Sequence, residues 1–418
     1  MENILIKNGT VLLYKNDDIV LENVDVLIQN DTISKIGKDI SFENAYIIDA
    51  ENQCVMPGLI NTHTHLPMSV FRGTFENCNL MDWLNNKIWP VEANLTEYDV
   101  YKSTMISYIE QISTGTTCTN DHYFLSESIR KAAVDSKVRT CLTRVLMDSD
   151  GHLEERLKEF KELYNSRDTS NSLITYTVSP HSLYTCSDKC LQAASKLALE
   201  YNLPVHLHFL ESINEIDDIK KLHNLDASSV LKKYFGETKN ILAHGVKLNI
   251  TDLEILKTMN CGIAHNPISN LMLGCKIADV SKYLSYGINV ALGTDGQGSG
   301  NSLDMFDAMK FACLLPGGIH ENEQRIGYKD VIKMATLNGA KLLGLENEIG
   351  SIEVGKKADI ILVDISSKLD NITSIPNNNI LFNLVYNTSG RSVTTTIVNG
   401  DILMENRELK YIDIKEYI

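Results

Sequence analysis

The sequence predicts an α/β protein: a (β/α)8 TIM-like barrel with a small discontinuous β-sandwich domain formed by both termini. Three observations carry this. From Val55 to about Gly344, brief apolar strand candidates each precede a longer helix-compatible stretch, the pattern of a βα-repeated parallel sheet. Eight such strands can be counted, and eight close a barrel. Both ends of the chain instead carry short β runs broken by turn residues, with little helical period. A length of 418 residues leaves room for two or three domains. The expected division is 1–54 with 350–418 for the sandwich and 55–349 for the barrel.

In chain order, Ile4 to Ile6, Val11 to Tyr14, Val24 to Ile28 and Tyr46 to Ile48 are separated by turn signals such as Asn8-Gly9 and Asn16-Asp17-Asp18, which predicts a small antiparallel sheet. The barrel strands follow as Val55 to Asn61, Thr116 to Asp121, Arg139 to Leu146, Leu173 to Pro180, Pro204 to Glu211, Ile241 to Gly245, Cys261 to Pro267 and Asn289 to Asp295. Their spacing is even except for the first gap. That gap holds Leu66 to Thr96 with both tryptophans, Trp83 and Trp89, and is a candidate lid. After a helix near Tyr328 to Leu343, β texture returns in Ala358 to Asp364, Val393 to Val398 and Ile402 to Met404, with Asn399-Gly400 as a hairpin turn.

Composition removes several function classes. Thirty-nine basic against 54 acidic residues give a net charge of −15, with 43 % apolar and 22 % charged residues, so neither disorder nor a nucleic-acid coat is expected. No apolar run approaches the ~18 residues of a membrane span, and Met1 to Lys7 lacks the apolar stretch of a signal peptide. The nine cysteines are odd in number and scattered, without a Cys-X-X-Cys pair, which predicts reduced thiols and a cytoplasmic protein.

Function in such a barrel sits at the C-terminal strand ends. The first strand ends in His63-Thr64-His65, whose side chains face one way because strand residues alternate. The fifth ends in His206-Leu207-His208 with Glu211 beyond, the sixth in His244, the seventh in His265 and the eighth in Thr294-Asp295. Six of the eleven histidines thus lie at four strand ends. One histidine there is usually a hydrogen-bonded core residue; six beside an aspartate point to a metal site.

Pro57-Gly58-Leu59-Ile60-Asn61-Thr62-His63-Thr64-His65, the His208 to Glu211 spacing, His244, Thr294-Asp295 and the later Gly350-Ser351-Ile352-Glu353-Val354-Gly355-Lys356-Lys357-Ala358-Asp359 together resemble the amidohydrolase superfamily over nearly the whole chain. Two-metal members carry a bridging lysine at the end of the fourth strand. Thr175 to His181 has none, so the resemblance implies one divalent ion, zinc before Fe²⁺ or Mn²⁺, held by His63, His65, His208 and Asp295. His206 lies one pleat deeper on the same face, and residue type leaves it open; His208 is preferred because the family's acid follows its ligand histidine by three. The resemblance further implies that Asp295 takes a proton from a water acidified toward pKa ~7. His244 would orient that water, and Glu211 would protonate the ring nitrogen and help ammonia leave.

Met81-Asp82-Trp83-Leu84, Ile88-Trp89-Pro90-Val91-Glu92, Ser179 to Cys186, His265 to Asn270 and Leu303 to Phe306 resemble the 5-methylthioadenosine/S-adenosylhomocysteine deaminase family. The implied partner is a small-molecule nucleoside, with adenosine and 5-deoxyadenosine beside the two thioethers; nucleic acid and membrane are not expected, and a homo-oligomer stays open. The resemblance puts Glu92 on the ribose hydroxyls, Trp83 against the sugar or sulfur, His181 near the nucleoside, and Arg144 and Arg156 on the carboxylate of the S-adenosylhomocysteine tail. The chemistry agrees: a carboxylate accepts from a diol, an indole walls a thioether, and a guanidinium forks onto a carboxylate. Glu154, Glu155 and Glu159 offer Arg156 competing salt bridges. Two departures sit near the mouth: Gly296 to Ser302 replaces a run with consecutive asparagines, and His122 stands where methionine is commoner. The alternatives are a guanine deaminase or triazine hydrolase, opposed by Glu92 and the arginines, and a non-catalytic scaffold, opposed by the complete ligand set.

Overall fold

Eight parallel strands make the barrel: Leu59–Thr64, Thr116–Asp121, Arg139–Leu142, Ile174–Tyr176, Val205–Phe209, Asn240–His244, Cys261–His265 and Asn289–Leu292. The structure, a computed structural model, describes residues 3–74, 80–320, 326–366 and 379–417; Cys78 and part of the predicted Leu66 to Thr96 lid lie outside them. The strands form two hydrogen-bonded arcs of four. At one seam Val178 pairs with Val205 and Ser182 with His208. At the other the amides of Thr294 and Asp295 donate to the His63 carbonyl at 3.2 and 3.0 Å, and the Thr62 hydroxyl donates to Leu292 at 2.8 Å. Every residue of the first, second, fifth and sixth strands is buried, as strands covered on both faces must be.

The predicted first strand, Val55 to Asn61, is two strands. Gln53–Pro57 belongs to the sandwich and pairs antiparallel with Ile360–Asp364, and the barrel strand begins only at Leu59. Gly58 makes the passage: a Cβ there would lie 2.1 Å from the Thr117 hydroxyl oxygen. The third and fourth strands are shorter than Arg139 to Leu146 and Leu173 to Pro180, their extensions meeting only through an isolated Leu146–Pro180 bridge. The helix predicted over Tyr328 to Leu343 breaks into Tyr328–Ala335 and Leu337–Leu343. The Thr336 hydroxyl at the break donates to the Ile332 carbonyl at 2.7 Å and lies 2.6 Å from the Tyr14 hydroxyl.

A seven-stranded sheet joins the two ends of the chain, with Ile360–Asp364 from the C-terminal part beside Gln53–Pro57 from the N-terminal part. A four-stranded sheet of Thr32–Gly37, Asp25–Gln29, Ile4–Lys7 and Tyr46–Asp49 packs on it. Ile4, Ile6, Val26 and Ile28 on one sheet share a core with Val11, Val55, Ile360 and Leu362 on the other. The N-terminal strands are not all antiparallel as predicted. Ile4–Lys7 pairs parallel with Tyr46–Asp49, and Thr10–Lys15 with Gln53–Pro57, because the chain alternates between the sheets before each return. Asn399 (φ 51°) and Gly400 (φ 79°) form the predicted hairpin turn. A buried ion pair, Arg139 to Asp359 at 2.9 and 3.0 Å, ties the base of the barrel to the sandwich.

Candidate metal centre and substrate cavity

The strand ends bring His63, His65, His208 and Asp295 together. The donor atoms of His63, His65 and His208 lie within 4.8 Å of one another, as do those of His63, His244 and Asp295. Asp295 Oδ1 is 3.4 Å from His63 Nε2 and 3.0 Å from His65 Nε2, and the Nε2 atoms of His65 and His208 are 3.3 Å apart. Each imidazole is turned by what its Nδ1 bonds. His65 donates to the His122 carbonyl at 2.5 Å, His208 to the His181 carbonyl at 2.8 Å and His244 to Asn270 Oδ1 at 2.8 Å. His63 Nδ1 meets His206 Nε2 at 2.8 Å, which places His206 behind the cluster as support for His63. Such outer partners fix the tautomer that presents Nε2 to a metal. His63 Nε2 is buried without a hydrogen-bond partner among the described residues, as a nitrogen reserved for a cation would be.

Burial lowers the His63 pKa to about 3, so it is a neutral donor. Burial works the same way on His65, but the Asp295 carboxylate outweighs it and lifts the pKa to about 9, a positive charge that a divalent ion would supply instead. Asp295 Oδ2 accepts from the hydroxyls of Ser269 at 2.5 Å and Ser299 at 2.7 Å, leaving Oδ1 for the donors. His244 (φ 75°), the last residue of its strand, and Leu210 (φ 49°) and Asp295 (φ 61°), just past the ends of theirs, hold left-handed backbone. Such conformations cost about 1–3 kcal/mol each and persist where the surroundings enforce them, typically at functional sites.

Glu211 follows Leu210 and is buried, not solvated at a helix start. Burial first, then the nearby Asp295 charge, pushes its pKa up to about 8, so it is a protonated acid at neutral pH. Its Oε1 is 3.7 Å from His244 Nδ1 and accepts from the Cys275 thiol at 3.8 Å. Glu215 caps the next helix, Ile213–His223, accepting from the amides of Glu211 at 2.9 Å and Ser212 at 2.8 Å. The capping signature Ser212-X-X-Glu215 is visible in the sequence; Cys275, 64 residues from Glu211, has no local signal.

A cavity of about 640 Å³ opens over these groups, lined also by Trp83, Glu92, Arg144, Arg156 and His181, so all the expected substrate residues share it. Glu92 accepts from the Tyr123 hydroxyl at 2.6 Å, a partner the sequence did not reveal, and burial raises its pKa. His181 bonds Thr185 through Nδ1 at 2.9 Å, and burial lowers its pKa to about 4. Trp83 is buried in the inserted segment. A Cβ at Gly298 would lie 3.1 Å from its indole, and one at Gly296 2.5 Å from Met68 Sδ, which explains the glycines of the departing segment. Arg144 pairs with Glu159 and donates to the Val145 carbonyl at 2.8 Å. Arg156 is held by Asp150, not by the glutamates expected to compete for it. His122 is buried among the histidines, and neither ring nitrogen has a protein partner among the described residues. A second cavity of about 750 Å³, around Cys141, Arg167 and Lys239, lies at the opposite end of the barrel from the donors.

A barrel carrying one such donor set, beside a sandwich of both termini, defines a class of metal-dependent hydrolases. The chain belongs to the amidohydrolase family, whose profile matches residues 54–403. Family chemistry runs on a divalent metal, and the His and Asp donors are the group able to hold one. Among relatives, the chain is 39 % identical over 421 residues to the 5-methylthioadenosine/S-adenosylhomocysteine deaminase of Thermoanaerobacter pseudethanolicus, covering 99 % of this chain and 96 % of that one. It is 39 % identical over 410 residues to the 5'-deoxyadenosine deaminase of Methanocaldococcus jannaschii, covering 96 % of each. A crystal structure of a Xanthomonas campestris adenosine deaminase with bound zinc superposes with a TM-score of 0.91 at 28 % identity, covering 100 % of this chain and 96 % of that one. No helix among the described residues is long and apolar enough to cross a membrane.

Proposed function

We propose that this protein is a zinc-dependent deaminase that converts the adenine of 5-methylthioadenosine, S-adenosylhomocysteine and 5-deoxyadenosine to hypoxanthine, releasing ammonia. The observation that carries this reading is a protonated, buried Glu211 beside converging metal donors in a cavity that also holds Glu92 and two arginines. The activities named for the relatives support it, and the zinc of the Xanthomonas campestris enzyme supports the choice of ion. Eight free cysteines among the described residues support a reducing, cytoplasmic setting.

His63, His65, His208 and Asp295 would hold the ion, which when bound would make a water acidic enough to ionise near neutral pH. Asp295 takes the water's proton, its carboxylate kept in line by Ser269 and Ser299. His244, with Nδ1 committed to Asn270, orients the water at the ring carbon. Glu211 gives its proton to the ring nitrogen beside that carbon; the proton held by Asp295 then passes to the departing amine, which leaves as ammonia, and the added hydroxyl returns its proton to Glu211 as the ring carbonyl forms. Glu92 accepts from the ribose diol, His181 meets the nucleoside, Trp83 walls the sulfur side, and Arg144 and Arg156 take the tail carboxylate. The test is a screen of the zinc-loaded enzyme on adenosine, 5-deoxyadenosine, 5-methylthioadenosine, S-adenosylhomocysteine and guanine, read by the ultraviolet change from adenine to hypoxanthine together with metal analysis. The thioethers should be deaminated; metal-loaded enzyme inert on every adenosine derivative overturns the proposal.

A further inference from the structure

The end of the cavity remote from the donors is not simply cationic. Each arginine there already has a carboxylate partner: Arg144 has Glu159, and Arg156 binds both oxygens of Asp150, with Nη1 at 2.6 Å from Oδ1. The two acids differ in where they stand. Glu159 holds Arg144 from outside the cavity wall, whereas Asp150 lines the cavity itself, with its side chain 41 % exposed. The neighbouring Asp148 does not line it and spends both oxygens on the amide and hydroxyl of Ser187. Of the other acids on the wall, Asp295 and Glu211 belong to the reacting end, and Glu92 is bonded to Tyr123. A carboxylate offers about four acceptor positions. Arg156 and the His152 amide, at 3.2 Å from Oδ1, leave Asp150 acceptor capacity toward the cavity.

We propose that Asp150 receives the α-ammonium group of the amino acid tail of S-adenosylhomocysteine while Arg144 and Arg156 receive its carboxylate, so that this end of the cavity selects a zwitterion. The inference rests on the deaminase reading above and deepens it. A tail bearing only a carboxylate would bring its charge up to Asp150 without the ammonium that offsets it. A zwitterion meets one anion and two cations with the matching charges, and a bare methyl group meets neither.

The experiment compares three substrates with the zinc-loaded wild type and with Asp150→Asn: S-adenosylhomocysteine, its analogue with a 3-carboxypropyl tail lacking the amine, and 5-methylthioadenosine as the reference. Relative to the reference, kcat/KM for S-adenosylhomocysteine should fall about tenfold in the variant, the scale of a charged hydrogen bond at a partly exposed site. For the carboxypropyl analogue the same ratio should rise. A change of opposite sign for the two tails is the signature of ammonium recognition. If both ratios fall together, Asp150 only aligns Arg156; if neither moves, it does not meet the tail; either result overturns the role. Wild type inert on every adenosine derivative sinks the deaminase reading itself, whereas active wild type without the inversion sinks only the role of Asp150.

Discussion

The two ends of the cavity are built differently. At the donor end every reacting group sits at a strand end and is fixed by a second, buried partner: His206 behind His63, Asn270 behind His244, and Ser269 and Ser299 behind Asp295. At the tail end the groups sit on the loop after the third strand and on the helix Leu153–Asn165. There Arg144 and Arg156 are held by Glu159 and Asp150, whose side chains are 43 % and 41 % exposed. In the first setting low dielectric makes each contact strong and each loss severe; in the second, water screens the charges and each contact is worth less. Chemistry and selectivity can therefore vary separately on one barrel.

The largest expected effect lies at the donor end. Glu211→Gln should lower turnover on every substrate by about 10³-fold, the range for a general acid, while metal content stays intact. Wild-type activity should fall as pH rises through about 8, because Glu211 must be protonated to act and burial places its pKa there. The variant, which cannot ionise at that position, should lose this limb. A loss of bound metal, or a loss confined to substrates with a long tail, would break the division between the two ends.

Arg144→Ala tests the tail end and should act more weakly and selectively. Relative to 5-methylthioadenosine, kcat/KM for S-adenosylhomocysteine should fall about tenfold, mainly through KM. Equal losses on both substrates would mean that Arg144 supports the barrel mouth instead of reading the tail.

The same contrast explains what the sequence disclosed. Strand period and the strand-end rule bring His63, His65, His206, His208, His244, His265 and Asp295 to strand ends without any long-range knowledge, but the preference for His208 over His206 came from the resemblance to the amidohydrolase superfamily. Glu211 was legible through the same resemblance, in which the acid follows the ligand histidine by three. What stayed hidden depends on contacts between distant segments: the Cys275 thiol on Glu211, the Tyr123 hydroxyl on Glu92, and Asp150 in place of the glutamates on Arg156. The break at Gly58 was hidden for another reason: the apolar run continues through it, and only the close approach of Thr117 shows that the chain changes sheets there.

His122 gives the smallest and most delicate test, because it stands at the donor end without sharing its design. Its ring centroid is 4.6 Å from that of His208 and 4.9 Å from that of His206, yet neither of its nitrogens has a protein partner among the described residues. Burial pushes its pKa well down, so the ring is neutral. A buried polar group left without a partner costs about 1–3 kcal/mol, and methionine fills an irregular apolar gap at no such cost. The hydrogen bond His122 makes to the donors, its carbonyl accepting from His65 Nδ1, belongs to the backbone and survives substitution. His122→Met should therefore raise the free energy of unfolding by about 1 kcal/mol in a urea titration at constant zinc, with one ion still bound. A destabilised variant, or one that binds zinc more weakly, would show that the ring is satisfied in the loaded enzyme and belongs with the supporting groups behind His63, His244 and Asp295.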